Sequence, residues 1–480
     1  MKILVLNCGS SSVKFQFIDT EGEVVLARGL VEKIGSTGAM LRYAHGHEKE
    51  IREVTEVPNH DAAIMLVLST LMHPRDGVIS SAGEIDGVGH RVVHGGEEFS
   101  ESVLVTPEVH AAIEHCCQFA PLHNPHNLKG IDVIDRLLKG TPQVAVFDTA
   151  FHQQMPPESF LYALPHGLYR KLGIRRYGFH GTSHRYVAAR AAEVLGRPIE
   201  ELRLITCHLG NGASVAAVRG GRSIDTSMGF TPLEGLMMGT RSGDLDPAVV
   251  PYLMQREKLS AGDIDALLNK RSGLLGISET SNDMREIVEA MEAGSGRHAL
   301  AFNMFCHRVR KYIGAYAAVL GGLDAVVFTG GIGENAVQVR AEILRGLGFL
   351  GIELDEEANR RGDTRLSRGP TQALVIPTNE ELAIARDTRS VLGAMTGRAE
   401  GILPEEAVER ELASLGNQDR RELVLLWAAD PSVDMGQLGD RLAHKIGKRL
   451  SPQALGRELD RLGLVETHSA MGTRSGTDQA

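Results

Sequence analysis

Four apolar residues, Ile3, Leu4, Val5 and Leu6, open the chain, a run long enough for a buried strand and too short for a helix. Asn7, Gly9 and three serines (Ser10, Ser11 and Ser12) follow as a turn cluster. Val13, Phe15 and Phe17 then alternate with Lys14 and Gln16, the period of a half-buried strand. Residues 21–35 read as another strand and its connection. Helical spacing marks 60–73, 107–118 (started by Pro107) and 127–138. Between them lies an apolar strand that delivers His90, Arg91 and His94 to the pair Gly95–Gly96, and QVAVF is a further strand ending at Asp148. Two prolines restrict the loop around Leu122 and His123.

The opening pattern then returns. Leu202 to Cys207 read as a strand, Gly210, Asn211 and Gly212 as a turn, and the next residues as a second alternating strand, with a third after Gly220–Gly221. Matching Ser12–Val13 with Ser214–Val215 sets an offset of 202 residues. An offset near half of the first four hundred residues indicates duplication of one α/β unit, two halves facing each other across a cleft. Residues 228–248, rich in glycine and methionine, read as a flexible loop bearing Arg241. Helices are expected at 284–293, 297–320 and 336–347, the last opened by Gly333, Glu334 and Asn335 after an apolar strand. A final strand leads to Thr378 and Asn379 as helix caps, with Glu380 and Glu381 in the first turn.

From residue 400 the style changes to leucines at helical spacing among Glu and Arg. Residues 400–466 are expected to form a small helical appendage with Trp427 in its core, and 467–480 a disordered tail. Its reading stays open between a docking or regulatory module and an extension packed on the rest of the protein. At 480 residues the chain is too long for one core, and 42% hydrophobic with 23% charged residues is the balance of a soluble globular protein. The net charge of −10 argues against an extended nucleic-acid surface, and no window approaches a membrane span. No signal peptide is read at the start, and the five cysteines have neither zinc spacing nor a disulfide framework. A reduced, cytoplasmic enzyme is the expectation.

Several residues are chemical candidates, each with a plainer reading beside it. The opening hairpin can hold phosphate oxygens, its hydroxyls and amides donating, Lys14 neutralising and Asn7 reaching a metal-bound water, or it is an ordinary hairpin. Arg91 is aimed into a cleft or lies at a strand end on the surface. Asp148 stands where open α/β sheets place ligand-binding groups, or caps a helix. Glu380 faces magnesium, or is favoured only by the helix dipole. His180, between a phenylalanine and a glycine, belongs to a polar pocket. Three glycine turns, cations after strands and carboxylates at element ends suit phosphoryl transfer, whereas no GxxxxGK[ST] and no GxSxG occur.

LVLNCGSSSVKF, GHRVVHGG, APLHNPHN, FDTAFHQQMP, RYGFHGTSH, HLGNGASVAAVRGG, MGTRSGDLDP, GGIGEN and IPTNEELAIA stand in the order in which acetate kinases carry them. Residues 1–395 therefore resemble the acetate kinase family of the acetate and sugar kinase/Hsp70/actin superfamily. The resemblance implies an α/β, duplicated, two-lobed actin-like ATPase fold with ribonuclease H-like halves and a cleft between the lobes, to which the all-α appendage is added. The lobes would span 1–150 and 151–399, the final helix packing back on the first.

The implied reaction is reversible transfer of a phosphoryl group from ATP to acetate, giving ADP and acetyl phosphate, with Mg2+ (or Mn2+ in its place). Propionate kinase is the near alternative, and a non-catalytic ATP-binding member the remote one. By the resemblance, Arg91 and Arg241 hold the carboxylate and the migrating group, and His180 stabilises its equatorial oxygens with His123 beside it. Asp148 is the family's catalytic acid. Acetate, already ionised, needs no base, which favours Asp148 as a positioner of magnesium. Asn7 and Glu380 orient the metal. Lys14, with Ser10 and Ser12, meets nucleotide phosphate. His208, Leu209, Gly210, Asn211 and Gly212 cradle phosphates, Asp283, Met284 and Arg285 meet the adenosine, and Gly331, Ile332, Gly333, Glu334 and Asn335 wrap the ribose side. Val93, Leu122, Phe179 and Pro232 line a methyl pocket. A homodimer is the family's usual state; no nucleic-acid or membrane partner is expected.

Overall fold

The computed structural model describes residues 1–46, 50–399, 412, 415, 417–429, 434–446 and 450–462. The described chain separates into two units, 1–392 and 393–480.

The first unit is built on two sheets. Strands β1 (Lys2–Cys8), β2 (Ser12–Asp19), β3 (Val24–Glu32), β4 (Met40–His45), β5 (Ile51–Val54), β6 (Gly87–Val92), β7 (Val103–Leu104) and β8 (Gln143–Phe147) form one, in the order β5-β4-β3-β2-β1-β6-β8-β7. Strands β9 (Arg203–Leu209), β10 (Ala213–Arg219), β11 (Arg222–Thr226), β12 (Ala325–Thr329) and β13 (Gln372–Val375) form the other, in the order β11-β10-β9-β12-β13. The five strands β3-β2-β1-β6-β8 repeat as β11-β10-β9-β12-β13, in each case an antiparallel meander followed by two parallel strands. This is the duplicated actin-like ATPase architecture.

The repeat corrects the offset. β1 and β9 share one burial pattern across seven positions, which aligns Lys2 with Arg203, an offset of 201. Cys8 pairs with Val13 but Leu209 with Ala213, so the second turn is one residue shorter and β10 follows β2 by 200. The matching serines suggested 202 because letters, unlike strand register, are blind to a shortened turn.

Both sheets are covered on both faces, which is why their central strands read as unbroken apolar runs. Ala63, Ile64, Val67, Val133 and Ile134, from helices His60–Leu71 and Asn124–Leu137, pack on Leu4, Leu6 and Phe15 of the first sheet. Ile384, Ala385 and Leu392, of the helix that begins at Glu380, pack on Ile3, Val5, Val144 and Val146 of its other face. On the second sheet, Phe302, Phe305, Val309 and Ile313 of helix Gly296–Leu320 cover Ile205 and Cys207. Val187, Ala188 and Ala191 of helix Gly181–Leu195 cover Leu204 from the opposite side.

Three expected elements differ in detail. The helix expected at 127–138 begins at Asn124, because Pro125 sits in its first turn, where no amide donor is missed. The segment GGIGEN is itself a short helix, Gly330–Asn335, and a separate helix runs Val337–Leu344. The stretch 228–248 is not loose. Arg176 donates to the carbonyls of Thr226, Ser227 and Met228 and to Glu234 Oε1 at 2.5 Å, and Asp244 Oδ1 accepts from the Gly235 amide.

The second unit contains helices Asn417–Ala429, Met435–Ile446 and Pro452–Arg461. Leu423, Trp427, Leu438, Leu442, Leu455 and Leu459 form its core, so Trp427 is buried as its apolar face implies. Arg420 Nε holds the buried Glu458 carboxylate at 2.6 Å. The expected disordered tail at 467–480 lies outside the described residues. No helix among the described residues is long and apolar enough to cross a membrane.

Candidate active site

The offset of 201 makes the ends of the central strands comparable. Asn7 matches His208, and each is the last residue but one of the first strand of its half. One residue beyond the pair Leu6–His90 stands Arg91, and His208 pairs with Thr329. Asp148, just past β8, corresponds in the same way to Thr378, just past β13. The carboxyl ends of the parallel strands are where such sheets bind ligands. One half brings Asn7, Arg91 and Asp148 there, the other His208, Thr329 and Thr378.

Arg91 and Asp148 are joined by a two-pronged ion pair. Nε donates to Oδ1 at 3.0 Å and Nη2 to Oδ2 at 2.6 Å, while Nη1 lies 3.4 Å from Asn7 Oδ1. The Asp148 carboxylate is nearly sequestered from solvent. It does not cap a helix: both its oxygens serve Arg91. Burial works against the Arg91 charge, but Asp148 and Glu380 outweigh it and hold the guanidinium firmly protonated. Glu380 is pushed up to about 7 by burial and by the nearby Asp148 and Glu381 carboxylates, against the pull of Arg91 and Lys14. Lys14 Nζ is paired with Glu381.

His180 stands at the start of helix Gly181–Leu195 with φ +58, a left-handed conformation rare for a side chain larger than glycine. Its Nδ1 lies 2.9 Å from Ser214 Oγ, and its ring stacks on His208 at 4.3 Å between centroids. Burial, then the imidazoles of His208 and His184 and the guanidiniums of Arg91 and Arg241, hold His180 well below its usual range and hence neutral. Ser183 Oγ joins His208 Nδ1 (2.8 Å) to Thr378 Oγ1 (2.9 Å). A Cβ placed on Gly212 would lie 3.5 Å from Arg241 Nη1 and 3.5 Å from His180 Nε2, so the turn after β9 abuts both side chains. His123 is lowered by burial and by the charges of Arg91 and Arg241, against the pull of Asp148.

Arg241 differs from Arg91. Its hydrogen bonds run only to the Pro232 carbonyl (3.3 Å) and the Met238 sulfur (3.6 Å). No carboxylate among the described residues accepts from it. Burial alone lowers its proton affinity, as for a guanidinium lacking its anion.

Beside this centre opens a cavity of about 960 Å³, lined by Gly210, Asn211, Asp283, Met284, Arg285, Gly331, Ile332 and Asn335, and also by Asn282, Val288 and Gln338. Asp283 caps the helix Met284–Glu292 and grips Arg285. Gly330 lets β12 turn directly into a helix: its φ is +75, and a Cβ would meet the Leu209 backbone at 2.7 Å. The Glu334 carboxylate closes that turn, accepting from the Gly330 amide at 2.9 Å, so its side chain faces inward rather than into the cavity. Leu209 and Gly333 are buried and do not line the cavity. Ser10 and Ser12 belong to the first turn, closed by the Gly9 amide on the Ser12 carbonyl at 2.8 Å, and neither lines the cavity.

Of the four residues expected to form a methyl pocket, Val93 and Phe179 share one buried cluster and Pro232 touches Arg241 through its carbonyl. Leu122 is 56% exposed and stands outside that cluster. Sequence reasoning missed Asn124 and Asn127, which hold the end of β6: their amide oxygens accept from the His94 and Val93 amides at 3.0 and 3.1 Å. It also missed Ser183, His184 and Ser214, which position His208 and His180. Two asparagines three apart in APLHNPHN were the available signal for the first pair; nothing local marks the serines.

The model of the acetokinase family matches residues 2–386. An acetate kinase of Halothermothrix orenii is 56% identical over 398 residues, covering 82% of this chain and 100% of that protein. One from Desulfitobacterium hafniense (strain DSM 10664 / DCB-2) is also 56% identical, over 82% of this chain and 99% of its own. Among solved structures, Porphyromonas gingivalis acetate kinase superposes with a TM-score of 0.79 at 49% identity, covering 82% of this chain and 99% of that one. A propionate kinase from Francisella tularensis gives a TM-score of 0.77 at 43% identity, over 81% and 99%.

Proposed function

The chain belongs to the acetokinase family, and on that premise we propose that it transfers the terminal phosphoryl group of ATP directly to the carboxylate of acetate, reversibly. The observation that carries this reading is the convergence of Arg91, Arg241, neutral His180 and His123 beside a cavity of about 960 Å³. Two anions must meet in line, and guanidinium forks offset their repulsion. Arg241 lacks an anion of its own and takes the substrate carboxylate or the migrating group. Arg91 offers Nη1, its other nitrogens being held by Asp148. Acetate is ionised and needs no base, so Asp148 acts by fixing the Arg91 fork rather than by moving a proton. Asn211, Asp283 to Arg285 and Gly331 to Asn335 enclose the adenosine. The site reading has Lys14 leaving Glu381 for phosphate when nucleotide binds.

Magnesium fits this donor set. The crowding of Asp148, Glu380 and Glu381 that raises Glu380 is what a divalent cation relieves. No three His, Cys, Asp or Glu side chains among the described residues form a ready cage. Magnesium needs none, since it is commonly held by one or two carboxylates together with substrate phosphates. Asn7 and Glu380 would hold it, and it would supply neutralisation of the phosphate charge; Mn2+ is the natural substitute.

Substrate choice rests on Val93, Phe179 and Pro232. One methylene in an apolar pocket changes discrimination by only about 1–3 kcal/mol, so propionate is expected as a slower substrate. The test is magnesium-dependent ADP formation with the acyl phosphate trapped as hydroxamate, run with acetate, propionate and butyrate. Turnover should fall in that order; no product with any of them overturns the enzyme reading, and faster turnover on propionate makes the chain a propionate kinase.

The family match ends at residue 386, and the acetate kinase of Halothermothrix orenii is covered whole by 82% of this chain. A chain ended after residue 399 is therefore expected to keep the turnover and KM of the full protein. A large loss of turnover would assign the C-terminal unit a part in catalysis. Assembly as a homodimer, a cytoplasmic location and the absence of nucleic-acid or membrane partners belong to the same proposal, the first checked by light scattering of the purified protein.

A further inference from the structure

Behind His180 lies a chain of four side chains that its own hydrogen count orients. His180 Nδ1 is 2.9 Å from Ser214 Oγ, Ser214 Oγ is 2.7 Å from His184 Nε2, and His184 Nδ1 is 2.7 Å from Thr206 Oγ1. Ser214, His184 and Thr206 are fully buried. Ser214 stands on β10 opposite His208, Thr206 on β9, and His184 in the first turn of the helix that His180 begins. The two halves of a hairpin and one helix are thus tied to a single imidazole.

We propose that Ser214 is a positioning residue that fixes His180 as the tautomer with its proton on Nε2, by closing a one-directional hydrogen-bond chain that starts at Thr206. A hydroxyl carries one hydrogen and can accept two, and a neutral imidazole carries one, so three orders satisfy the three contacts. In the first, Thr206 donates to His184 Nδ1, His184 Nε2–H donates to Ser214, and Ser214 donates to His180 Nδ1. The His180 proton is then on Nε2. In the second, every bond is reversed: His180 Nε2 is bare, and the Thr206 hydroxyl must donate elsewhere. In the third, His184 Nε2–H and His180 Nδ1–H both donate to Ser214, whose own hydrogen must go elsewhere. Neither Thr206 Oγ1 nor Ser214 Oγ has a further hydrogen-bond partner among the described residues, so the second and third orders each strand a buried hydroxyl hydrogen. A buried donor left without an acceptor is unfavourable, which selects the first. Burial and the neighbouring rings and guanidiniums keep both histidines neutral, which keeps the hydrogen count valid.

The consequence appears at the other face of the ring. His180 Nε2 is turned toward Gly212, whose Cβ position is also 3.5 Å from Arg241 Nη1. A donor there complements phosphoryl oxygens, whereas a lone pair would repel them. This last step rests on the acetate kinase reading; the tautomer does not.

Nitrogen-15 NMR of the labelled protein, with the His180 signals identified by their loss in His180→Gln, reads the tautomer directly. The proton is expected on Nε2 in the unsubstituted protein, and a proton on Nδ1 overturns the proposal. Ser214→Ala should leave a mixture of tautomers and lower kcat by about 10- to 100-fold, the usual cost of removing a partner that orients a functional imidazole. The KM values for acetate and ATP should hold, and Ser214→Thr, which keeps the hydroxyl, should recover most of the rate. Thr206→Val, which removes the first donor at nearly constant shape, should mix the tautomers too. A Ser214→Ala protein with unchanged kcat and an unmixed Nε2–H tautomer also overturns it. If His180→Gln itself turns over normally while the tautomer is as expected, the fault lies with the role given to His180 and not with the chain behind it.

Discussion

Arg241→Ala is expected to lower turnover by at least ~100-fold, the order seen when a donor aimed at developing charge is removed from a dry site. The expectation rests on what Arg241 lacks. The guanidinium is partly buried, yet among the described residues donates only to a carbonyl at 3.3 Å and a thioether at 3.6 Å. Burying an arginine without an anion is costly unless a ligand supplies one. Removing it should therefore cost catalysis and little stability, and thermal melting of the ligand-free variant should be nearly unchanged. Arg241→Lys restores charge without the fork and should recover only part of the rate. Arg91→Ala should lose turnover to a similar degree but also melt earlier, because it strands the Asp148 carboxylate, only 3% exposed, without its partner. Hydroxamate assays beside melting curves separate the two. Near-normal turnover in Arg241→Ala would remove it from the mechanism.

The second large effect is acid sensitivity. His90, His94, His152 and His208 are each lowered to about 4, in every case chiefly by burial, and His180 and His184 lie well below their usual range. Below pH 6.5 the unfolded chain takes up protons at these sites while the native protein does not, so the stability they contribute is present above 6.5 and lost as pH falls toward about 4. Each such histidine carries about 1.4 kcal/mol per pH unit in that window. Glu380 and Asp225, both raised chiefly by burial, run the other way, since the native state binds their protons first. Six imidazoles outweigh two carboxyls. Urea midpoints should therefore drop steeply between pH 6.5 and 5; a flat profile would mean that the buried histidines titrate as exposed ones do.

Much of this was legible in one dimension. Ile3 to Leu6 and Leu202 to Cys207 announce their strands because a sheet covered on both faces needs apolar side chains at every position. The glycines at 330 and 331 announce a tight turn, since only glycine reaches the required φ at Gly330 and clears the Leu209 backbone. The ordered motifs, from LVLNCGSSSVKF to IPTNEELAIA, carry the family. These are local properties, enforced by what each residue's own backbone and immediate neighbours tolerate.

Whatever depended on contacts between distant residues needed the fold. Asp148 could face magnesium or cap a helix on the sequence alone; it grips Arg91, 57 positions away, because β6 and β8 lie side by side. Lys14 was assigned to phosphate, and its partner in the structure is Glu381. Leu122, given to the methyl pocket by the resemblance, is 56% exposed and outside the buried cluster that Val93 and Phe179 share. Most plainly, Ser214 serves in the sequence only as a letter matched with Ser12, until β10 sets it between two histidines from another segment. The duplicated scaffold and the chemical inventory at its strand ends follow from the order of the residues. Which of those groups hold one another, and which, like Arg241, have no carboxylate partner among the described residues, depends on the folded chain, because pairing energies act over a few ångströms of space and not along the backbone.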